Sequence, residues 1–168
     1  EREIEDRFYT ELEFGTAGMR GVIGAGLNRM NAYNVRRATL GLADYINQSP
    51  EHAGRCVVIA YDSRRFSPEF AEQAALVLCA QGIKTCLFES LRPVQVLSFA
   101  VRYLGAISGI VITASHNPPQ YNGYKVYWED GGQMPPERAG EVLKCIRARD
   151  FKEAVAMNRE EALEKGLL

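Results

Sequence analysis

Apolar positions along the chain switch repeatedly between two periods, one helical and one strand-like. Val35, Ala38, Leu42, Tyr45 and Ile46 recur at helical spacing and predict a helix over 32–48. Val57-Val58-Ile59-Ala60 is a short β-branched run that reads as a buried strand. Ser67-Pro68-Glu69 marks a helix start, with Ser67 as cap and Pro68 where a missing N–H costs nothing. Phe70, Ala74, Val77 and Leu78 form that helix's inner stripe, and Gly82 ends it. Lys84 to Phe88 reads as the next strand, and Val94, Leu97, Val101 and Leu104 as the next helix. Ile107 to Thr113 is the most apolar strand and is placed centrally. Tyr124 to Trp128 is a further strand, and Ala139, Val142, Leu143 and Ile146 face inward from a helix.

This alternation predicts a three-layer α/β/α sandwich with a mixed, mostly parallel sheet. The connection from 113 to 124 is too short for a parallel crossover of a dozen or more residues, so the 124–128 strand can return antiparallel. Residues 1–150 are expected to form the domain. The polar tail over 151–168 reads as a helical linker toward a missing second domain, with Asn158 and Glu161 as a capping box and Gly166 as C-cap.

Composition narrows the function classes. The 168 residues are 46% hydrophobic and 24% charged, which excludes a disordered chain. Lys and Arg number 20 against 21 Asp and Glu, so the basic excess that nucleic-acid binding needs is missing. The longest uncharged apolar stretch, Gly105 to Ala114, is about half of a membrane span. The four cysteines form no CxxC pair, and Cys56 and Cys86 read as buried free thiols, which fits a reducing, cytoplasmic setting. The first residue is Glu1, so a trimmed or excerpted chain is expected.

The acids are unevenly spread. Phe14 to Ala43 and Ser90 to Trp128 contain none of the 21, where about nine would fall by proportion. The first segment carries Arg20, Arg29, Arg36 and Arg37, and the second Arg92, Arg102 and Lys125. Each also holds a turn-rich loop, Phe14–Gly26 and Thr113–Gly123. Loops free of carboxylates, with glycines and cations, suit an anionic ligand. The first loop reads Phe14-Gly15-Thr16-Ala17-Gly18-Met19-Arg20-Gly21, with glycines at 15, 18, 21 and 24 that let backbone approach a ligand or turn sharply. It matches neither a dinucleotide fingerprint nor a Walker A loop.

The second loop reads Thr113-Ala114-Ser115-His116-Asn117-Pro118-Pro119-Gln120-Tyr121-Asn122-Gly123-Tyr124-Lys125. It follows the most buried strand, where α/β sheets place their ligands. Ser115 is either an ordinary turn serine or a reactive one. A Ser-His-Asp hydrolase fits poorly: no GxSxG elbow occurs, and neighbours in an extended loop point in opposite directions, which separates His116 from Ser115. The other histidine, His52, reads as an exposed turn residue.

The run Thr113–Pro119 followed by Tyr121-Asn122-Gly123-Tyr124-Lys125 closely resembles the active-site serine loop of the α-D-phosphohexomutase superfamily. Phe14–Gly21 resembles that family's N-terminal loop, and Asp62-Ser63-Arg64 followed by Ser67 its second, structural landmark. Ser90-Leu91-Arg92-Pro93 and Trp128-Glu129-Asp130-Gly131-Gly132 look most like the bacterial phosphoglucomutase and phosphopentomutase-like branch. The resemblance implies that Ser115 carries a phosphoryl group passed to a sugar monophosphate and taken back from its other end. It assigns Arg20 to clamp phosphoryl oxygens, Lys125 to stabilise charge or handle a hydroxyl proton, and His116 to contact sugar or phosphate. Thr16, Asn117, Arg20 and Ser115 would bind substrate phosphate. Mg2+ is implied, with an oxygen of phosphorylated Ser115 as one ligand, and glucose 1,6-bisphosphate or a similar sugar bisphosphate as intermediate.

The chain also departs from the family. No Asp-Gly-Asp-x-Asp-Arg metal loop occurs, and Asp62 is the nearest acidic candidate. The resemblance therefore implies a first domain whose partners are a phosphosugar and the remaining domains of the same polypeptide, with the fragment alone inactive. A phosphopentomutase and a stand-alone sugar-phosphate-binding module are the alternatives. Glucose, mannose and pentose phosphates are not distinguished by these residues.

Overall fold

In the computed structural model, which describes every residue of 1–168 except Ala17, the apolar runs become the middle strands of one sheet. The strands are β1 (Gly18–Val22), β2 (Val57–Tyr61), β3 (Thr85–Leu87), β4 (Ser108–Ile112) and β5 (Tyr121–Trp128). Their order across the sheet is β1-β5-β4-β2-β3. β2 pairs in parallel with β3 and β4, whereas β5 is antiparallel to both β4 and β1. The sheet is thus mixed, with β5 alone running against the other four. β4 is central and buried along its whole length, as its composition predicts.

The helices are α1 (Arg2–Phe8), α2 (Ala32–Asn47), α3 (Ser67–Ala80), α4 (Val94–Tyr103), α5 (Pro136–Arg147) and α6 (Arg159–Glu164). One face of the sheet is covered by α2, α3 and α5, where Leu42, Leu78 and Val142 meet Ile59, Ile110 and Tyr124. The other face is covered by α4, whose Leu97 and Val101 pack on Val58, Ala60 and Val111. This is the three-layer sandwich expected from the alternation. Tyr124 is fully buried, and its hydroxyl accepts a 3.1 Å hydrogen bond from Thr39 of α2. Burial pushes the Tyr124 phenol well above its ordinary pKa. Among the described residues no helix is long and apolar enough to cross a membrane.

Several local expectations are corrected. Gly18–Val22 reads as loop in the sequence but forms edge strand β1. Its strand character comes from pairing with β5 rather than from its own glycine-rich composition. Ser67 does not cap α3; it is the first helical residue, and Phe66 precedes it in a left-handed conformation at φ 63°. His52 is buried, not exposed, with Nδ1 3.1 Å from the Ile46 carbonyl and its ring edge-on to Trp128. Cys56 and Cys86 are half-buried free thiols, and Cys79 is the fully buried one. Burial and the adjacent Cys86 push the Cys56 thiol up to about 11.

The tail packs more closely than its polarity suggests. Asn158 caps α6 by accepting from the Glu160 and Glu161 N–H groups, and Gly166 takes φ 65° at its end. Ala162 is fully buried against Leu76 and Cys79 of α3. The Thr85 N–H of β3 donates to the Leu167 carbonyl at 2.7 Å. A small side chain at 162 and two leucines at 167 and 168 supply the apolar surface that the stretch otherwise lacks.

Candidate active site

Ser115 stands on the eight-residue connection between β4 and β5, just past the carboxyl end of the central strand. It is exposed and has φ 55°, a left-handed conformation that a non-glycine residue rarely adopts. Its N–H donates to Thr113 Oγ1 at 3.0 Å. Its Oγ lies 3.4 Å from His116 Nδ1. The expectation that two neighbours must diverge fails here because the backbone is not extended at Ser115.

β1 brings the second half of the site. Antiparallel pairing sets Gly18 opposite Lys125 and Arg20 opposite Gly123. Directly paired residues share a sheet face, so Arg20 and Lys125 project from the same one. Glycine is required at both partner positions. A Cβ on Gly18, whose φ is 149°, would lie 2.0 Å from the Tyr124 carbonyl oxygen. A Cβ on Gly123 would lie 2.6 Å from the Thr113 carbonyl oxygen. These glycines serve strand-to-strand approach rather than a direct ligand contact. Arg20 Nη1 donates to Asn117 Oδ1 at 3.0 Å and so links the first loop to the serine loop.

Two open hollows flank this link. Thr16, Arg20 and Lys125 line one of about 740 Å3. Ser115 and Asn117 line the other, of about 770 Å3, together with Asp62, Ser63, Arg64 and Arg65. Among the described residues neither Thr16 nor Lys125 bonds to Ser115 directly. The structure therefore joins Arg20 to Asn117 and Ser115 to His116, and sets Thr16 and Lys125 beside Arg20 across the link.

The acid-free segments supply fewer site cations than their composition suggests. Arg29 pairs with Asp6 and Arg37 with Glu11, at 2.8 Å in the second case. Arg36 donates to Gln73. Arg92 and Arg102 donate to Leu91 and Ser98 on the α4 side. Arg20 and Lys125 remain directed to the site from those segments. A third cation, Arg64, comes from outside them, and charge patterning misses it for that reason; the turn residues of Asp62-Ser63-Arg64 after β2 are the signal that marks it.

Asp62 does not fit the metal role considered for it. Its Oδ1 accepts from the Arg64 N–H and from Ser67 Oγ, both at 2.9 Å, and its Oδ2 accepts from Thr113 Oγ1 at 2.5 Å. Among the described residues no three of His, Cys, Asp or Glu come together as a metal cage. Among the described residues the side chains thus do not fit a Mg2+ site.

The three-layer fold, with a left-handed serine past the central strand and cations on a glycine-lined edge pair, defines an α/β domain with an exposed serine hydroxyl near cationic side chains. Comparison with known proteins gives the family. Residues 11–153 match the model of the phosphoglucomutase/phosphomannomutase, alpha/beta/alpha domain I, and the chain belongs to that family. It is 46% identical over 144 residues to a phosphoglucomutase of Staphylococcus epidermidis, covering 86% of this chain and 26% of that protein. It is 43% identical over 144 residues to a probable phosphoribomutase of Schizosaccharomyces pombe, covering 85% and 24%. A solved structure of a putative phosphomannomutase from Thermus thermophilus superposes with a TM-score of 0.78 at 32% identity, covering 89% of this chain and 32% of that one. The chain spans about a quarter of the length of the curated relatives it matches.

Proposed function

We propose that this chain is the first domain, over 1–150, of a phosphosugar mutase, with 151–168 leading toward the next domain, and that Ser115 is its phosphoryl carrier. The observation that carries this reading is the exposed, left-handed Ser115 beside a link of Arg20 to Asn117, with the nearby carboxylate of Asp62 already occupied. Phosphoryl transfer is mainly a matter of positioning and charge neutralisation, which these groups serve.

In the proposed step, a hydroxyl oxygen of a sugar monophosphate bonds to phosphorus as the Ser115 Oγ–P bond breaks. The hydroxyl proton passes through the site and ends on Ser115 Oγ. Lys125 handles that proton or holds the charge that develops, and Arg20 clamps phosphoryl oxygens in a bidentate grip. His116 contacts the reacting phosphate from 3.4 Å beside Ser115 Oγ. Thr16 and Asn117 complete the phosphate contacts. The bisphosphorylated sugar then turns and returns its other phosphate to Ser115, a net shift between the 1- and 6-positions of a hexose. A Mg2+ held by an oxygen of phosphorylated Ser115 and by groups outside these 168 residues would supply charge neutralisation there. The probable phosphoribomutase among the relatives favours a second substrate reading, a 1-to-5 shift on a pentose.

The test uses the full-length polypeptide. Peptide mapping after incubation with glucose 1,6-bisphosphate is expected to find phosphate on Ser115. Ser115→Ala is expected to lower mutase turnover by about 10⁴-fold or more; unimpaired turnover overturns the proposal. Sub-millimolar binding of the bisphosphate by residues 1–168 alone would favour a stand-alone binding module instead.

A further inference from the structure

The serine loop is held from behind by a single guanidinium. Arg64 Nη1 donates to the carbonyls of Pro118 and Tyr121, both at 3.0 Å. Its Nη2 donates to the carbonyls of Ser115 at 2.8 Å and Asn117 at 2.6 Å. Four carbonyls within seven residues of chain thus converge on one side chain that is only 14% exposed. The planar fork of arginine offers five N–H donors in fixed directions, which a lysine ammonium cannot reproduce.

Asp62 orients that fork, with Oδ2 3.6 Å from Arg64 Nε. The same carboxylate receives the Thr113 hydroxyl, whose oxygen in turn accepts the Ser115 N–H. The two peptide groups that flank Ser115 are therefore fixed from opposite sides: the preceding N–H by Thr113, the following carbonyl by Arg64. Both lead back to Asp62. A left-handed conformation is unfavourable for an L-residue, so it persists only where surrounding bonds impose it. The loop carbonyls taken up by Arg64 are also kept from turning their negative ends toward a phosphoryl group.

We infer that Arg64, oriented by Asp62, is a positioning residue for transfer at Ser115: it imposes the left-handed turn that presents Oγ and draws the loop's carbonyl oxygens away from the phosphate. This rests on the reading of Ser115 as phosphoryl carrier. It adds an arginine that works on the backbone of the loop rather than on the substrate.

The test compares Arg64→Lys and Arg64→Ala with the parent in the full-length polypeptide. For both, kcat is expected to fall about 10²-fold while KM stays within about threefold, because misplacement by an ångström costs rate more than binding. Single-turnover phosphorylation of Ser115 by glucose 1,6-bisphosphate should slow by the same factor. Methylguanidine should restore part of the Arg64→Ala activity, and methylamine at equal ionic strength should not. A folded Arg64→Lys protein with kcat within threefold of the parent overturns the inference. Should both Arg64 variants fail to fold, Asp62→Asn decides: a kcat lowered about tenfold at unchanged KM supports the inference, and an unchanged kcat overturns it. Ser115→Ala separates the two readings, since turnover surviving there removes both, whereas its loss alongside a normal Arg64→Lys enzyme removes only the role of Arg64.

Discussion

The two loops that build the site are held by opposite means. The loop after β4 is fixed by side chains: Thr113 and Arg64 bond its backbone, and Asp62 braces both. The stretch entering β1 is fixed by backbone: Gly15 N–H bonds the Gly18 carbonyl, and Gly18 to Val22 pair with β5. The first device sets one residue's φ and ψ. The second sets a register, which puts Arg20 and Lys125 on one face and lets Arg20 reach Asn117 Oδ1. For the proposed roles, a nucleophile needs its atom placed closely, whereas a phosphate clamp needs only the right face and register.

That contrast can be broken at either loop. The largest stability effect is expected from Gly18→Ala, since its Cβ would meet the Tyr124 carbonyl oxygen at 2.0 Å and Lys125 Cα at 2.8 Å. Urea denaturation should show a loss of about 3 kcal/mol or more, as β1 cannot keep its place beside β5. Thr113→Val comes next. It keeps the shape but leaves Asp62 Oδ2 and the Ser115 N–H without this partner, and should cost about 1–3 kcal/mol in the same measurement. Its kcat should fall as well, since the Ser115 backbone loses one of its two tethers. The smallest effect belongs to Asn117→Ala, which cuts the bond from Arg20 across the two loops. Stability should stay within about 0.5 kcal/mol. KM for the sugar phosphate should rise while kcat changes little, which would show that the link serves binding rather than the placement of Ser115.

Legibility in the sequence follows the same division. Val57–Ala60 and Ile107–Thr113 announce themselves because burial on both faces selects continuous β-branched runs. β1 does not, because its residues are chosen for what they lack: glycines at 18 and 21 permit close approach but carry no strand signal. The residues of the serine loop are recognisable from their types and order. Their geometry is not, since nothing local shows that Ser115 takes φ 55° and so brings His116 Nδ1 to its own Oγ. Ser67 illustrates the limit of capping rules. The position reads as a helix cap, yet its hydroxyl is drawn to Asp62 Oδ1, five residues back in the turn after β2, and receives Asn122 Nδ2, 55 residues on. His52 is misread for a related reason: its burial depends on Trp128, 76 residues further on.

The bond from Thr85 to the Leu167 carbonyl has a consequence for solubility. β3 is the last strand on its side of the sheet, and a bare outer rim of N–H and C=O groups is a template for stacking onto a second molecule. β3 is only three residues long, and the segment after α6 occupies one of its outward donors. The tail thus covers part of the sheet's open flank, where an uncovered edge strand would invite pairing with a second copy.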